Sequence, residues 1–201
     1  MKRILIAFML SLPLMAAAQN TWEIAETADV TKTNPDQKYL AGAVPEVNGR
    51  VVFHTVVDAP GKSAAQVYAI VKQYMEKMIK EPNQFEQSRI VIDEPDSCRI
   101  IGSYQEWLVF KSTALSLDRT RLFYTLMAEC HDGKADITLM RIHYLYEEER
   151  NPQAMTAEEW ITDKHGLNRK QTKLARISGK FRRKTIDRKD YLFNKIQSLL
   201  K

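Results

Sequence analysis

The sequence predicts an α+β fold in which an antiparallel sheet carries helices on one face. Residues 48–49 (Asn-Gly) and 132–133 (Asp-Gly) separate runs rich in β-branched and aromatic residues, which is typical of tight hairpins. Ser63 with Gln66 forms a capping box ahead of apolar residues at helical spacing. The resulting order is strand, helix, four strands and helix, and such segregated elements favour an α+β arrangement.

The first elements follow a start near Val44. A short hairpin over residues 44–53 turns at the Asn-Gly pair, and its second strand continues to residue 57. Residues 64–78 then place apolar side chains at i, i+3, i+4 and i+7, with polar side chains between them. This spacing predicts one amphipathic helix that packs on the sheet through a single face.

Four strands are expected after this helix. They cover residues 89–92, 98–110, 121–130 and 135–146, where β-branched and aromatic side chains are frequent. The stretch 111–120 between the second and the third of these strands is polar and rich in hydroxyl groups. We therefore expect it to be a loop.

The C-terminal part is expected to be helical in two places. Thr156 with Glu159 forms a second capping box, for a short helix through residue 160. Residues 165–184 show weak periodicity and are expected to be irregular. Asp187 can then cap a last helix. The apolar stripe of that helix consists of Leu192, Ile196, Leu199 and Leu200.

The N-terminus predicts export. Residues 1–18 begin with basic side chains, continue with an apolar run too short to span a bilayer and end in three alanines. We expect a soluble protein of the periplasm or the cell exterior, without a transmembrane span, and not a lipoprotein because no cysteine lies near the cleavage site. The remaining chain divides into an extended arm over 19–43, an α+β core domain over 44–150 and a basic helical segment over 151–201 that packs on the core.

Charge is distributed unevenly along the chain. Residues 19–163 carry a net charge of −8, whereas residues 164–201 carry +11. Such a basic segment is attracted to anionic lipid, to lipopolysaccharide or to an acidic protein surface. Export removes most nucleic acid from reach, so we expect no nucleic-acid partner. The alternative is that the basic segment folds back on its own acidic body.

Motifs for catalysis and cofactor binding are missing from the sequence. There is no H-E-x-x-H zinc motif, no G-x-S-x-G nucleophile elbow and no glycine-rich phosphate loop. We expect His54 and His143 to be exposed strand residues, and we expect no metal and no cofactor. For a hydrolase, Glu106 and Glu129 are the carboxylates that neighbouring strands would bring face to face.

Cys98 and Cys130 are the only cysteines. They do not form a C-x-x-C pair, and two cysteines without a histidine cluster make a poor zinc site. In an oxidising compartment they allow a structural disulfide instead. If Phe110 pairs with Arg121 across the expected loop, the register brings Cys98 close to the turn that follows Cys130.

Two clusters are candidates for binding a polar or anionic ligand. One lies in residues 111–121, and the other is the basic run at residues 182–184. Grouped hydroxyl, carboxylate and guanidinium side chains suit the recognition of a charged group. The structural alternative is that Asp118 and Arg121 only stabilise the connection between two strands. The candidate residues are Ser112, Thr113, Asp118, Arg119, Arg121, Arg182, Arg183 and Lys184.

Three stretches resemble a family of exported bacterial proteins, the domain-of-unknown-function family 4468. They are residues 39–47 (YLAGAVPEV), 112–121 (STALSLDRTR) and 178–187 (SGKFRRKTID). The resemblance implies a TATA-binding-protein-like fold with the order β-α-β-β-β-β-α, which agrees with the order read from the residues. It carries over no activity and no catalytic residue, and the fold name does not imply DNA binding, because function lies in sites rather than in folds.

The sequence as a whole favours an exported, non-enzymatic module that binds a small anionic ligand or a protein of the cell envelope. The alternative is a hydrolase that acts on envelope material through sheet carboxylates or histidines. A concave pocket ringed by acidic and histidine side chains would favour the enzyme. A flat or groove-like surface with apolar and basic side chains would favour the binding module.

We predict that the mature protein begins at or near Gln19. The alanines at positions 16–18 supply the small side chains that a signal peptidase reads before the cleaved bond. N-terminal sequencing of the exported form should therefore return Gln19 as its first residue. Retention of Met1 in that form would contradict the signal peptide.

Overall fold

The computed structural model describes residues 20, 22–23 and 34–201. The signal peptide expected over 1–18 lies outside the described residues, and so do residues 19, 21 and 24–33 of the arm expected over 19–43. Of that arm, a short 3₁₀-helix, Gln37–Tyr39, is described. Among the described helices, none is both long enough and apolar enough to cross a membrane.

One antiparallel sheet forms the centre of the molecule. Its strand order is β3-β7-β6-β5-β4, and β8 pairs with the end of β7 that β3 leaves free. A separate small hairpin, β1-β2, precedes it. The strands are β1 Glu46–Val47, β2 Arg50–Val51, β3 Phe53–Asp58, β4 Arg89–Glu94, β5 Arg99–Thr113, β6 Ser116–His131, β7 Lys134–Tyr146 and β8 Gln153–Thr156.

The helices complete the α+β fold predicted from the sequence. The main order β3, α1, β4 to β7 and α4 is the predicted strand, helix, four strands and helix. The short helix predicted through residue 160 is α2, and β8 and α3 are additions between β7 and α4. The capping boxes predicted at Ser63 and Thr156 are both present. The helices are α1 Ala64–Met78, α2 Ala157–Trp160, α3 Asp163–Gly166 and α4 Gly179–Leu200.

Both predicted Asx-Gly turns lie at hairpin turns. Asn48 and Gly49 have φ angles of 52° and 73°, in the left-handed region that a type I′ turn requires. Gly133, with a φ of 74°, closes the turn between β6 and β7, where His131 pairs with Lys134. These turns set the register of two of the hairpins.

The prediction of a polar loop over residues 111–120 is wrong. Strands β5 and β6 continue through it and meet at a two-residue turn, with Thr113 opposite Ser116 and Lys111 opposite Asp118. Threonine is β-branched and fits a strand, so the hydroxyl-rich composition did not exclude extended structure here. Because the turn is so tight, Trp107 lies opposite Arg121, and the expected pairing of Phe110 with Arg121 is wrong as well.

The last helix begins earlier than expected. Helix α4 starts at Gly179, so the prediction that residues 165–184 are irregular is wrong for its final part, and Asp187 lies inside the helix instead of capping it. The helix buries Phe181, Arg182 and Thr185 as well as most of the predicted stripe. Two buried arginines interrupt the apolar periodicity. Of the predicted stripe, only Leu199 is exposed.

The core lies between the sheet and helices α1 and α4. On this face Tyr104 stacks on Tyr124 with ring centroids 5.2 Å apart, and its hydroxyl donates to the carbonyl of Met75 in α1 at 3.1 Å. Gly102 leaves room for the same ring, because a Cβ there would lie 2.5 Å from it. The alternate residues of β5 and β6 point to the opposite face, which no described helix covers.

A buried ion pair joins α4 to the sheet. The Nε and Nη2 atoms of Arg188 each donate to a carboxylate oxygen of Glu106 in β5 at 2.7 Å, and both side chains are almost completely buried. Asn83 and Gln84 donate to Glu106 Oε2 at 2.9 and 2.8 Å. Burial raises the pKa of Glu106, and the guanidinium and amide donors oppose that rise.

We predict that Glu106→Ala lowers the free energy of unfolding by roughly 3–5 kcal/mol, because it leaves a buried guanidinium without its carboxylate. Urea unfolding measures this loss. The control Glu76→Ala removes a half-exposed carboxylate 4.0 Å from Lys72 and should change stability by less than about 0.5 kcal/mol.

Replacing both partners of the pair, Glu106→Leu with Arg188→Met, should recover most of that stability, because no unpaired charge then remains in the core. Parent-like stability of Glu106→Ala would contradict the importance of the pair.

Candidate functional site

The structure divides the predicted site residues between two sides of the molecule. Ser112 and Thr113 lie near the turn of the β5-β6 hairpin. Asp118 lies on the helix side, where it accepts hydrogen bonds from Lys180 at 2.7 and 3.0 Å and from Tyr146 at 3.0 Å. Arg119 and Arg121 face the side of the sheet that carries no helix.

The three side chains of the basic cluster at residues 182–184 all form hydrogen bonds or ion pairs with other parts of the protein. Arg182 is fully buried and donates four hydrogen bonds, at 2.6–2.7 Å, to main-chain carbonyls and to Asp163. Arg183 forms an ion pair with Asp36, and Lys184 forms one with Glu23. The basic segment therefore folds back on acidic residues of the body.

A cleft of about 800 Å³ lies between the end of β5 and helix α4. It brings the two predicted clusters together, because Lys111 and Ser112 line it from the hairpin and Arg183 and Lys184 line it from the helix. Its walls also carry carboxylates, including that of Asp187, which lies 3.0 Å from Lys38. An anion entering this cleft has to compete with ion pairs already formed.

The uncovered face carries a stack of aromatic and guanidinium groups. The guanidinium carbon of Arg119 lies 3.6 Å from the ring centroid of Trp107, and the Phe85 ring lies 4.9 Å from Trp107. The only ion pair of Arg119 among the described residues is a 3.6 Å contact with Glu149, which is 83% exposed. The side chain of Arg119 makes no hydrogen bond in that part of the chain, so the N–H groups of its guanidinium are available to a ligand.

Arg121 is held more firmly on the same face. It donates to the two carboxylate oxygens of Glu148 at 2.5 and 3.1 Å, and its guanidinium lies 4.0 Å from the Phe85 ring centroid. Beyond it, Phe123 and His143 stack with centroids 4.4 Å apart. Arg121 therefore orders the stack, whereas Arg119 is its accessible end.

A second cleft, of about 490 Å³, opens beside Arg119. It lies between the tip of the β5-β6 hairpin and the acidic turn at residues 147–150. Leu115 at the tip is 99% exposed, and Leu117 is 47% exposed. The surface around Arg119 is therefore an open groove with an apolar edge and a cation backed by an aromatic ring.

The carboxylates and histidines are placed differently from the hydrolase expectation. Glu106 is buried on the helix side and Glu129 lies on the uncovered face, paired with Arg99 at 3.5 Å, so the expectation that they face each other is wrong. His54 and His131 both contact Asp136, at 3.3 and 3.5 Å. Within the described ranges, no group of histidine, cysteine and acidic side chains is arranged to hold a metal ion.

The stack around Trp107 was not predicted from the sequence because it depends on the register of the β5-β6 hairpin. With a long loop, Trp107 has no guanidinium opposite it. The two-residue turn puts Arg121 directly across and Arg119 at the next position of the same face. Strand propensity at Thr113 was the available signal for this shorter turn.

The two cysteines are neighbours at one end of the sheet. The amide of Cys130 donates to the carbonyl of Cys98 at 2.9 Å, and both thiols are free in the structure. Cys130 is buried, and burial raises the pKa of its thiol to about 12. At neutral pH this thiol stays protonated and reacts slowly, because the thiolate is the reactive form.

The fold and the matched relatives define the family. The family model for a domain of unknown function (DUF4468) with TBP-like fold matches residues 53–145. The crystal structure of a DUF4468 family protein from Bacteroides ovatus ATCC 8483 is 42% identical, has a TM-score of 0.77 and covers 84% of this chain and 96% of its own. The chain belongs to the DUF4468 family.

A second solved structure shares the fold at lower identity. A TBP-like protein from Parabacteroides distasonis ATCC 8503 has a TM-score of 0.63 and 18% identity, over 78% of this chain and 96% of its own. No curated protein matches the chain. Both relatives bear out the fold predicted from the sequence, and the first bears out the family resemblance.

We predict that oxidation of the folded protein links Cys98 to Cys130, because their main chains are hydrogen-bonded neighbours. The rate should rise with pH, since a raised pKa leaves little thiolate at neutral pH. Thiol titration and peptide mapping after oxidation measure the bond. An unchanged thiol count at alkaline pH would contradict it.

Proposed function

We propose that this DUF4468 protein is an exported, non-enzymatic module of the periplasm or cell exterior that binds an anionic group on the uncovered face of its sheet. The observation that supports this most directly is Arg119, whose guanidinium carbon lies 3.6 Å from the centroid of the Trp107 ring and whose only described ion pair is with an exposed glutamate. The arginine fork matches carboxylate, sulfate and phosphate groups, and stacking holds its plane in one orientation.

The energies favour Arg119 over the other predicted cations. An exposed ion pair contributes about 0.2–1 kcal/mol, so displacing Glu149 costs little. A charge-assisted hydrogen bond stabilises the bound ligand by roughly 1.5–3 kcal/mol. Opening the buried contacts of Arg182 would instead cost roughly 3–5 kcal/mol. A ligand is therefore expected at Arg119, and Arg182 is expected to support the structure.

The surroundings of Arg119 favour a ligand that also has an apolar part. Leu115 and Leu117 border the same groove, and Trp107 lines it. Glu148 and Glu149 lie opposite, so a polyanion of high charge density is repelled unless it reaches Arg119 with one group only. An acidic residue or acidic terminus on an envelope protein has this chemistry.

The hydrolase remains the alternative function, and the geometry supports it less. Its expected carboxylate pair is divided between the two faces of the sheet. The other candidate is Asp136, whose ion-pair contacts among the described residues are His54, His131 and Lys134. The two histidines and the lysine are about half exposed, which is the arrangement of a surface ion-pair cluster.

We predict that a short peptide with one glutamate between apolar residues shifts the NMR signals of the Arg119 side chain and the Trp107 indole. Arg119→Ala should weaken this binding roughly tenfold to a hundredfold, the equivalent of one charge-assisted contact. The matched control Arg99→Ala removes a partly exposed arginine from the far end of the same face and should bind like the parent.

Added salt should weaken the binding, because exposed charges are screened beyond about 8 Å at physiological ionic strength. Equal affinity of the parent and Arg119→Ala would contradict the proposed site. Turnover of an envelope substrate that depends on His54 or Asp136 would favour the hydrolase.

A further inference from the structure

The segment from α3 to the start of α4 carries a cluster of positive charges that no acidic side chain neutralises among the described residues. Residues 164–176, which we call the basic loop, contain five basic and no acidic residues. All five basic side chains are exposed, and none has an ion pair within the part of the chain that the structure describes. They are Lys164, Arg169, Lys170, Lys173 and Arg176.

This exposure distinguishes the basic loop from helix α4, although the two are adjacent in sequence. In α4, Lys180, Lys184 and Arg188 all pair with acidic residues of the body. The positive field of the C-terminal segment therefore originates mainly from the basic loop and much less from the run at 182–184 that the sequence singled out.

The basic loop is an ordered turn. The amide of Asn168 donates to the carbonyl of Lys173 at 2.9 Å, and the side-chain oxygen of Asn168 accepts from the amide of Thr172 at 2.9 Å. At its base, Leu167 pairs with Leu174, and the amide of Ala175 donates to the carbonyl of Gly166 at 2.9 Å. The loop backbone is thus fixed before any partner binds, which lowers the entropic cost of binding.

An exposed apolar side chain accompanies these charges. Ile177 follows Arg176 directly and is 65% exposed. The basic loop contains no phenylalanine, tyrosine or tryptophan on which a nucleobase could stack, and stacking is the usual means of holding single-stranded nucleic acid. Clusters of four to eight Lys and Arg side chains next to an apolar group are instead suited to the phosphates of a lipid surface.

We propose that the basic loop docks the protein on an anionic lipid surface, with the five cations at the headgroup phosphates and Ile177 at the interface. The charge layout supports one orientation, because residues 19–163 carry −8 and are repelled by the same surface. This docking is independent of the Arg119 groove, since none of the five cations lines either cleft.

Co-sedimentation of the full chain with vesicles tests the docking. The protein should sediment with vesicles of equal parts phosphatidylglycerol and phosphatidylcholine and stay in solution with phosphatidylcholine alone. The variant Arg169→Gln/Lys170→Gln/Lys173→Gln should lower the partition coefficient on the order of 100-fold, because each removed cation contributes a few-fold.

The matched control is Lys77→Gln/Lys80→Gln/Lys195→Gln. It removes three exposed lysines that have no ion pair with a described residue, from α1, from just after α1 and from α4. It has the same net charge as the loop variant and should bind nearly as the parent does. Equal losses in the two variants would overturn the assignment to the basic loop. Retention of heparin or single-stranded DNA without any vesicle binding would overturn the lipid surface.

Discussion

The ion pair between Arg188 and Glu106 is the interaction on which the rest of this structure depends. Removing two charges from water costs several kcal/mol for each ion, and only good geometry offsets that cost. Here the carboxylate of Glu106 accepts two hydrogen bonds from the guanidinium and two from the side-chain amides of Asn83 and Gln84. The pair therefore fixes the position of α4, the chain after α1 and the centre of β5 relative to one another.

The sequence predicted those parts of the fold that are determined locally. Hairpin turns at Asx-Gly pairs and helix starts at capping boxes depend on residues a few positions apart, and they were found where expected. The start of α4 was not predicted because Arg182 and Arg188 lie on its buried face. In the sequence, a charged residue at such a position breaks the apolar periodicity that indicates a helix. The burial of these side chains becomes favourable only after distant partners have been assembled.

The candidate site shows the same limit more clearly. A run of basic residues predicts attraction to anions, but it does not reveal which cations are already paired. Lys184 and Glu23 are 161 residues apart, and Lys180 and Asp118 are 62 apart. Such pairs follow from topology alone. The cations left for partners, Arg119 and the basic loop, could be identified only after these internal pairs had been assigned.

The position of α4 after all the strands of the sheet has a consequence for biosynthesis. A ribosome releases the sheet, with Glu106 on its inner face, before the 22 residues of α4 have emerged. During that time the carboxylate has no guanidinium, and one side of the sheet lacks its cover. The fold therefore closes only after α4 has been released, and until then the inner face of the sheet stays exposed with an unpaired carboxylate on it.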